Sequence, residues 1–418
     1  MIEKLTIIYY FIKARYFSDF KTRKQLRQYQ RFLWQKQLAF LRKNSDFYAK
    51  QINLSTFPLM DKRLLMANFN SINTVGLDRD EAIKFAIACE KSRQFDKKLK
   101  GVTIGLSSGT SGHRGIFAVS DEERAIWAGT ILAKLLPKGK ILGHRIAFFM
   151  RADSELYETV NTKLLQFSFL DMQDNLAENL TKLKEIAPTI LVAPPSMLIE
   201  IAKANLDISP MKVISIAEVL EVRDASLIKS ALNLPVIHQV YQCTEGFLGA
   251  TCQYGTLHLN EEYVQIEKEW IDDKRFYPII TDLKRRAQPI VRYRLNDILV
   301  KKATTCECGS LLLAIEKIEG RQDDVFEFIG LETEVVTVFP DYIRRCLLFS
   351  DQVEEYRVQQ VDANQLDVLI DTENSQVKQE IIQNFKQLSF DLKFQMPDIK
   401  FKAYDYDGNK KLKRIEKL

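Results

Sequence analysis

The chain has 418 residues, 46% apolar and 28% charged, with a net charge of +5. That length exceeds what one hydrophobic core fills, so at least two domains are expected. The composition is that of a soluble globular protein, and so small a net charge does not by itself point to nucleic acid.

The charge is uneven, however. Residues 1–50 carry 12 Lys and Arg against 3 Asp and Glu, an excess of +9 that leaves −4 for the remainder. This basic lead-in reads as a solvated helix in preference to a membrane-surface or acidic-partner contact. TIIYYFI (Thr6–Ile12) is too short to span a bilayer and no small-residue cleavage site follows it, so a cytoplasmic protein is expected. In such a chain the six cysteines argue against a disulfide framework.

Leu26, Tyr29, Leu33 and Phe40 recur at helical spacing, which predicts an amphipathic helix over 22–44. Two strand-like runs, GVTIGL (101–106) and GIFAVS (115–120), flank the glycine- and hydroxyl-rich SSGTSGHRG (Ser107–Gly115). Ser120 and Glu123 form a capping box opening a helix to about Leu136. The loop therefore joins strand to strand, so backbone N–H groups and hydroxyls, not a helix dipole, must supply its anion affinity. Gly109 and Gly112 permit the unusual backbone angles, while Ser107, Ser108, Thr110 and Ser111 donate and Arg114 offers a planar cationic fork for phosphate.

From 141 to 240 the apolar runs RIAFFM, TILVAPP, KVISIA and PVIHQVYQ alternate with helical stretches, predicting an α/β core with a largely parallel sheet. YQCTEG (Tyr241–Gly246) follows directly after the last of these strands. Tyr241 is placed to stack on a base, Thr244 to donate to phosphate and Glu245 to hold Mg²⁺ as a hard oxygen ligand. In VRYRLND (Val291–Asp297), Asp297 is placed to accept from sugar hydroxyls. EGRQDD (Glu319–Asp324) opens a final segment of α+β pattern with a helix near 375–388. No internal repeat or low-complexity linker is evident.

These four stretches, in this order, resemble the adenylate-forming superfamily of acyl- and aryl-coenzyme A ligases and nonribosomal adenylation domains. YQCTEG matches a Tyr-Gly-x-Thr-Glu element with Gln242 in place of glycine, and YRLND matches Tyr-Arg-Thr-Gly-Asp with Asn296 in place of glycine. GRQDD matches a Gly-Arg-x-Asp-Asp hinge, and Arg114 stands where relatives commonly carry lysine. Within the superfamily, the RKQLRQYQRFLWQKQLAFLRKNSDFYAK opening, Ala217–Glu218 and PIVRYRLNDI are most similar to phenylacetate–coenzyme A ligase and the coenzyme F synthetase-like proteins.

The resemblance implies an α/β fold: a large N-terminal domain of mixed sheets and helices (1–320, with 1–50 as its lead-in) and a small mobile α+β lid (321–418). It implies ATP held by the loop and adenine held by backbone near Ala217 and Glu218 with Tyr241. Asp297 and Arg321 would fix the ribose and Asp323 would be the hinge. Lys411 of the C-terminal tail would be the catalytic lysine, with Lys410 an adjacent alternative. The implied reaction is attack of a carboxylate on the α-phosphorus of ATP, followed by transfer of the acyl group to a thiol, most readily coenzyme A. A carrier protein or an amine as acceptor, and a non-catalytic nucleotide-binding homologue, stay open, as does the oligomeric state, a homodimer included. A nucleic-acid partner is not expected, since no RNA-binding signature is present. The same comparison groups Cys252, His258, Cys306 and Cys308 as a closed structural Zn²⁺ set.

Overall fold

The computed structural model describes residues 2–18, 20–49, 56–107, 115–139, 141–150, 165–348, 353, 355–405 and 411–418. The chain divides into two compact units, Met1–Leu295 with Val300–Lys317, and Asn296–Leu299 with Ile318–Leu418.

The first unit opens with α1 (Ile2–Tyr16) and α2 (Arg23–Asn44). A capping box between Thr22 and Gln25 starts α2, a signal present in the sequence but not used above. Three further helices follow, α3 (Lys62–Ala67), α4 (Phe69–Ile72) and α5 (Arg79–Ser92), none of which the apolar spacing had marked. A small antiparallel sheet comprises β1 (Lys98–Leu99), β2 (Val102–Leu106) and β3 (Ile116–Val119), so the glycine-rich loop does join two paired strands. The expected capping box opens α6 (Asp121–Leu135). Gly129 lets α1 approach α6, because a Cβ there would collide with the Ile7 carbonyl. Arg15 donates to the carbonyls of Ala133 and Leu136, each at 2.8 Å, satisfying the C-terminal end of α6.

The large sheet has twelve strands. Its parallel part runs β5 (Leu165–Asp171), β4 (His144–Met150), β6 (Ile190–Ala193), β7 (Lys212–Ser215) and β8 (Ile237–Cys243), as the alternating pattern predicts. Both faces of these strands are buried: Ala147, Phe149 and Leu191 enter one core, while Ile146, Phe148 and Ile190 enter the other. Beyond β8 the pairing turns antiparallel, through β9 (Gly246–Thr251) and β10 (Leu257–Leu259) to β15 (Ala314–Arg321). β11 (Val264–Trp270) and β12 (Arg275–Asp282) form a further antiparallel pair, with β13 (Tyr293–Arg294) against β12. β14 (Asp297–Lys301) completes the sheet, and the division between the two units falls within β14 and β15. The sheet as a whole is thus mixed, as expected for the large domain, with its parallel part made up of β4–β8.

The second unit is α+β. A hairpin of β16 (Phe326–Ile329) and β17 (Val335–Val338) precedes a helix at Pro340–Leu348. A four-stranded sheet follows in the order β20 (Asp398–Ala403), β19 (Gln365–Ile370), β18 (Tyr356–Asp362), β21 (Ile415–Lys417). The helix Ser375–Leu392 buries Val377, Ile381 and Phe385 at i, i+4 and i+8 in the core shared with Val358 and Val368.

Candidate active site and metal centre

Ser108, Gly109, Thr110, Ser111, Gly112 and Arg114 of the glycine-rich loop lie outside the described residues, as does Lys410. Its two ends are described, and they clamp each other. The Ser107 N–H donates to the Gly115 carbonyl at 2.8 Å, and the Gly115 N–H returns a bond to Ser107 Oγ at 2.8 Å. Lys62, which sequence reasoning passed over, packs against this exit: a Cβ on Gly115 would lie 3.1 Å from its Cε.

YQCTEG does not follow its strand but ends it. Tyr241 to Cys243 are the last residues of β8, and Thr244 and Glu245 form the turn to antiparallel β9. Tyr241 is buried. Thr244 Oγ1 donates to Glu245 Oε2 at 2.9 Å, and the Tyr293 phenol lies within electrostatic reach of the Glu245 carboxylate. Burial first, and then Glu245 itself, push the Tyr293 phenol well above its usual range, so it remains a donor at any physiological pH. The YQCTEG and VRYRLND stretches therefore come close at one carboxylate. Glu245 keeps acceptor capacity beyond the bond from Thr244, which fits a hard cation such as Mg²⁺.

A buried polar web lies under this turn. Arg285, only 1% exposed, donates from Nη1 to the Thr244 carbonyl at 2.5 Å, and its guanidinium lies 5.5 Å from the centre of the Trp127 ring. Gln288 donates to the Ile116 carbonyl and accepts from the Ala118 N–H, tying the same segment to β3. Glu123 of the capping box accepts from the Arg286 and Ala287 N–H groups. Asp282 accepts from the Lys284 and Arg285 N–H groups, yet its burial prevails and raises its pKa to about 6. Of these residues, Arg285, Gln288 and Asp282 belong to no recognisable motif.

Ala217 has φ +65°, a left-handed conformation uncommon for a residue with a Cβ, and the Glu218 N–H donates to the Ile216 carbonyl at 2.7 Å across it. The Glu218 carboxylate accepts from the Ser196 N–H at 3.1 Å, at the start of the helix Pro195–Lys203, so its side chain is committed to that helix end.

In the second unit Asp297 and Arg321 come together, with Arg321 Nε 3.3 Å from Asp297 Oδ1. Asp323 accepts from Asn296 Nδ2 at 2.8 Å within the 3-10 turn Gln322–Asp324. Lys411 lies half-buried just before β21.

Cys252, His258, Cys306 and Cys308 converge: their ligand atoms all lie within 4.8 Å of one another. Cys252 Sγ and Cys306 Sγ are 3.7 Å apart, and Cys308 Sγ is 3.3 Å from His258 Nε2. Ligands at about 2.3 Å on a tetrahedral ion stand about 3.8 Å apart, so the set fits zinc. His258 Nδ1 lies 3.2 Å from the Leu312 carbonyl, a partner that fixes the ring and turns Nε2 to the cluster. Burial opposes ionisation of Cys306, but hydrogen bonds from Thr256, the Cys308 backbone, His258 and Cys308 outweigh it and lower the thiol pKa to about 6.

No protein-family model matches the sequence, and no curated protein matches it. Solved structures do match. A 2-hydroxyisobutyryl-CoA ligase in the postadenylation state, in complex with 2-HIB-AMP, aligns at TM-score 0.71 and 13% identity over 97% of this chain and 91% of its own. The amide bond synthetase McbA from Marinactinospora thermotolerans aligns at TM-score 0.56 and 13% identity over 75% of this chain and 68% of its own. ATP-bound MatB from Rhodopseudomonas palustris aligns at TM-score 0.53 and 14% identity over 75% and 66%. At these identities the likeness speaks to architecture. The chain has the fold of the adenylate-forming ligases.

Proposed function

We propose that the protein is an ATP-dependent ligase that adenylates a carboxylic acid and passes the acyl group to a thiol, coenzyme A. The observation that carries the reading is the meeting of Thr244, Glu245 and Tyr293 at the β8–β9 turn, within a fold shared with ligases solved holding an acyl-AMP. One carboxylate oxygen of the acid attacks the α-phosphorus of ATP, and the bond to the β-phosphate oxygen breaks, releasing pyrophosphate. The thiol sulfur, losing its proton, then attacks the acyl carbon, and the carbon–oxygen bond to AMP breaks.

The first step brings two anions together, so fixed positive charge and donors govern its barrier. Ser107, Ser108, Thr110, Ser111 and the Gly109 and Gly112 backbone hold the phosphates, with Arg114 on the departing pair. Glu245 holds Mg²⁺, which when bound supplies neutralisation of phosphate charge. Thr244 and Tyr293 aim the Glu245 carboxylate, and Arg285 fixes the turn that carries both. Backbone at Ala217 and Glu218 with Tyr241 holds adenine, and Asp297 with Arg321 holds the ribose. Lys411 is the cation for carboxylate and α-phosphate. Asp323 is the hinge that separates the two steps, and an aryl acid of the phenylacetate type is the substrate class favoured by the sequence resemblance. An amine as the final acceptor is the second reading, favoured by the likeness to an amide bond synthetase.

Cys252, His258, Cys306 and Cys308 hold a structural zinc ion, with no ligand position left for water. β9 runs between Glu245 and Cys252, so this metal lies roughly 20 Å from the proposed chemistry at about 3.4 Å per residue.

The test is acid-dependent exchange of labelled pyrophosphate into ATP across a panel of aryl and fatty acids, with Glu245→Ala alongside. Exchange with one acid class, abolished by Glu245→Ala, is expected. Undiminished exchange in the variant removes Glu245 from the metal role, and no exchange with any acid removes the ligase reading.

A further inference from the structure

Helix α1 is apolar on two sides, and only one of them is covered. Ile7 is buried with Ala125 and Ala128 of α6, and Phe11 packs against a second core cluster. On the opposite side Leu5, Ile8, Tyr9, Ile12 and Tyr16 are between 42% and 60% exposed, and Phe17 just beyond the helix is 76% exposed. Those five positions follow the i, i+3, i+4, i+7, i+11 spacing of a single helical stripe. At about 100° per residue, Lys4 and Lys13 fall on its two borders.

Lys13 also belongs to a cluster of cations drawn from three segments of the first unit. Its ammonium lies 5.9 Å from the centre of the Tyr10 ring and 5.3 Å from that of Tyr29. Lys284, after β12, approaches Tyr10 at 5.7 Å. Arg286 lies over Phe40 at 4.8 Å, and Lys36 over Phe32 at 4.4 Å, both rings being carried by α2. Burial, and then Lys13, Arg286 and Lys36, push the Lys284 ammonium down to about 8, with Glu122 acting against them. Like charges gathered so closely repel unless an anion offsets them.

We propose that the exposed stripe of α1 and the adjoining cations Lys13, Lys36, Lys284 and Arg286 dock the protein onto an anionic lipid bilayer. The stripe supplies apolar and aromatic side chains of the kind that settle at the headgroup boundary, and its bordering lysines keep their charges at the polar level. The cation cluster supplies the preference for anionic lipid. A second copy of this chain would bring the same cations to the contact, which opposes self-pairing through this face. No helix among the described residues is long and apolar enough to cross a membrane, so the association is peripheral.

The test is co-sedimentation of the full-length protein with phosphatidylcholine vesicles, with and without phosphatidylglycerol. Binding to the mixed vesicles and little to phosphatidylcholine alone is expected. Lys36→Gln with Arg286→Gln should weaken it about 25-fold, at about fivefold per cation near an anionic surface. Ile8→Gln with Ile12→Gln should abolish it. All four side chains are exposed, and should the α1 variant unfold, the Lys36/Arg286 pair carries the test by itself. No binding to mixed vesicles, or binding that ignores both pairs of substitutions, overturns the proposal. So does a wild-type dimer that dissociates in the α1 variant without lipid, which would make a second copy the occupant. Pyrophosphate exchange measured without vesicles separates this outcome from failure of the ligase reading, on which the docking does not depend.

Discussion

Replacing Cys306 with Ser tests the zinc proposal most sharply, because the structure sets both the size of the effect and what should escape it. Cys252 and Cys306 stand 54 positions apart in sequence, so a metal that joins them closes a long loop. Treated as a cross-link, closure of that length removes about 4 kcal/mol of unfolded-chain entropy. For a unit of about 300 residues, with an unfolding entropy of about 2.1 cal/mol/K per residue, the loss corresponds to a fall of about 6 °C in melting temperature. Elemental analysis should find one zinc per wild-type chain and none in Cys306→Ser. In calorimetry a strong chelator should lower the wild-type transition to the variant's and leave the variant's unmoved. At temperatures well below either transition, pyrophosphate exchange should persist in the variant, because the metal sits at the far end of β9 from Glu245. A zinc-free wild type would refute the site outright. Loss of exchange from a still-folded variant would refute the structural assignment.

If the Tyr293 phenol aims the Glu245 carboxylate beside it, Tyr293→Phe, which keeps the ring, should slow exchange about tenfold at an unchanged melting temperature, the size of one hydrogen bond to a charged group. An unaltered rate would mean that the phenol does not aim the carboxylate. Lys411→Ala should cut adenylate formation about 10²–10³-fold while sparing thioester formation from a supplied acyl-adenylate. Asp323→Pro, in the 3-10 turn Gln322–Asp324, should do the reverse, because proline fixes φ and would freeze the hinge. Single-turnover measurements of each step decide it, and equal damage to both steps by both variants would defeat the two-step assignment. Asp282 ionises near 3.8 when unfolded and near about 6 when buried, so the folded chain holds the extra proton between those values. Its contribution is therefore best at the acid end, and stability falls as pH rises through about 6, by up to about 3 kcal/mol. Asp282→Asn should flatten that slope in denaturant titrations between about pH 4 and about pH 6, and an identical slope in both proteins would count against the shift.

What was legible in the sequence is local. The Ser120–Glu123 capping box, the strands on either side of the glycine-rich loop and the buried strands from 145 to 242 each depend on neighbours a few residues away. Physics at that range is written in the residue order. Motif order likewise pointed to Thr244 and Glu245. The pairing of Tyr293 with Glu245 was not legible, since it joins residues 48 positions apart and rests on a phenol whose role shows only once its burial is known. Residues 282–288, DLKRRAQ, match no motif, yet Asp282, Arg285 and Gln288 are each no more than 4% exposed. Composition carries no signal there, because a buried charge is stable only among partners, and those partners come from β3, α6 and the β8–β9 turn.

That buried turn has a consequence for how the site keeps its shape. Glu245 sits on an exposed kind of element, a hairpin turn, whose tip would ordinarily be free to move. Here Arg285 donates to the Thr244 carbonyl, and Gln288 bonds to β3 just beyond the exit of the glycine-rich loop. One short segment thus bonds to two elements that, on the proposed function, would keep register with the same nucleotide. At the other end of β9 the Cys252, His258, Cys306 and Cys308 cluster anchors the strand against the turn that carries Cys306 and Cys308. A catalytic carboxylate gains from being fixed before its ligand arrives, since the reorganisation is then already complete. Fixing a strand at both ends, through polar contacts at one and the cysteine–histidine cluster at the other, is how this chain would meet that demand with a mixed sheet and without a helix dipole at the loop.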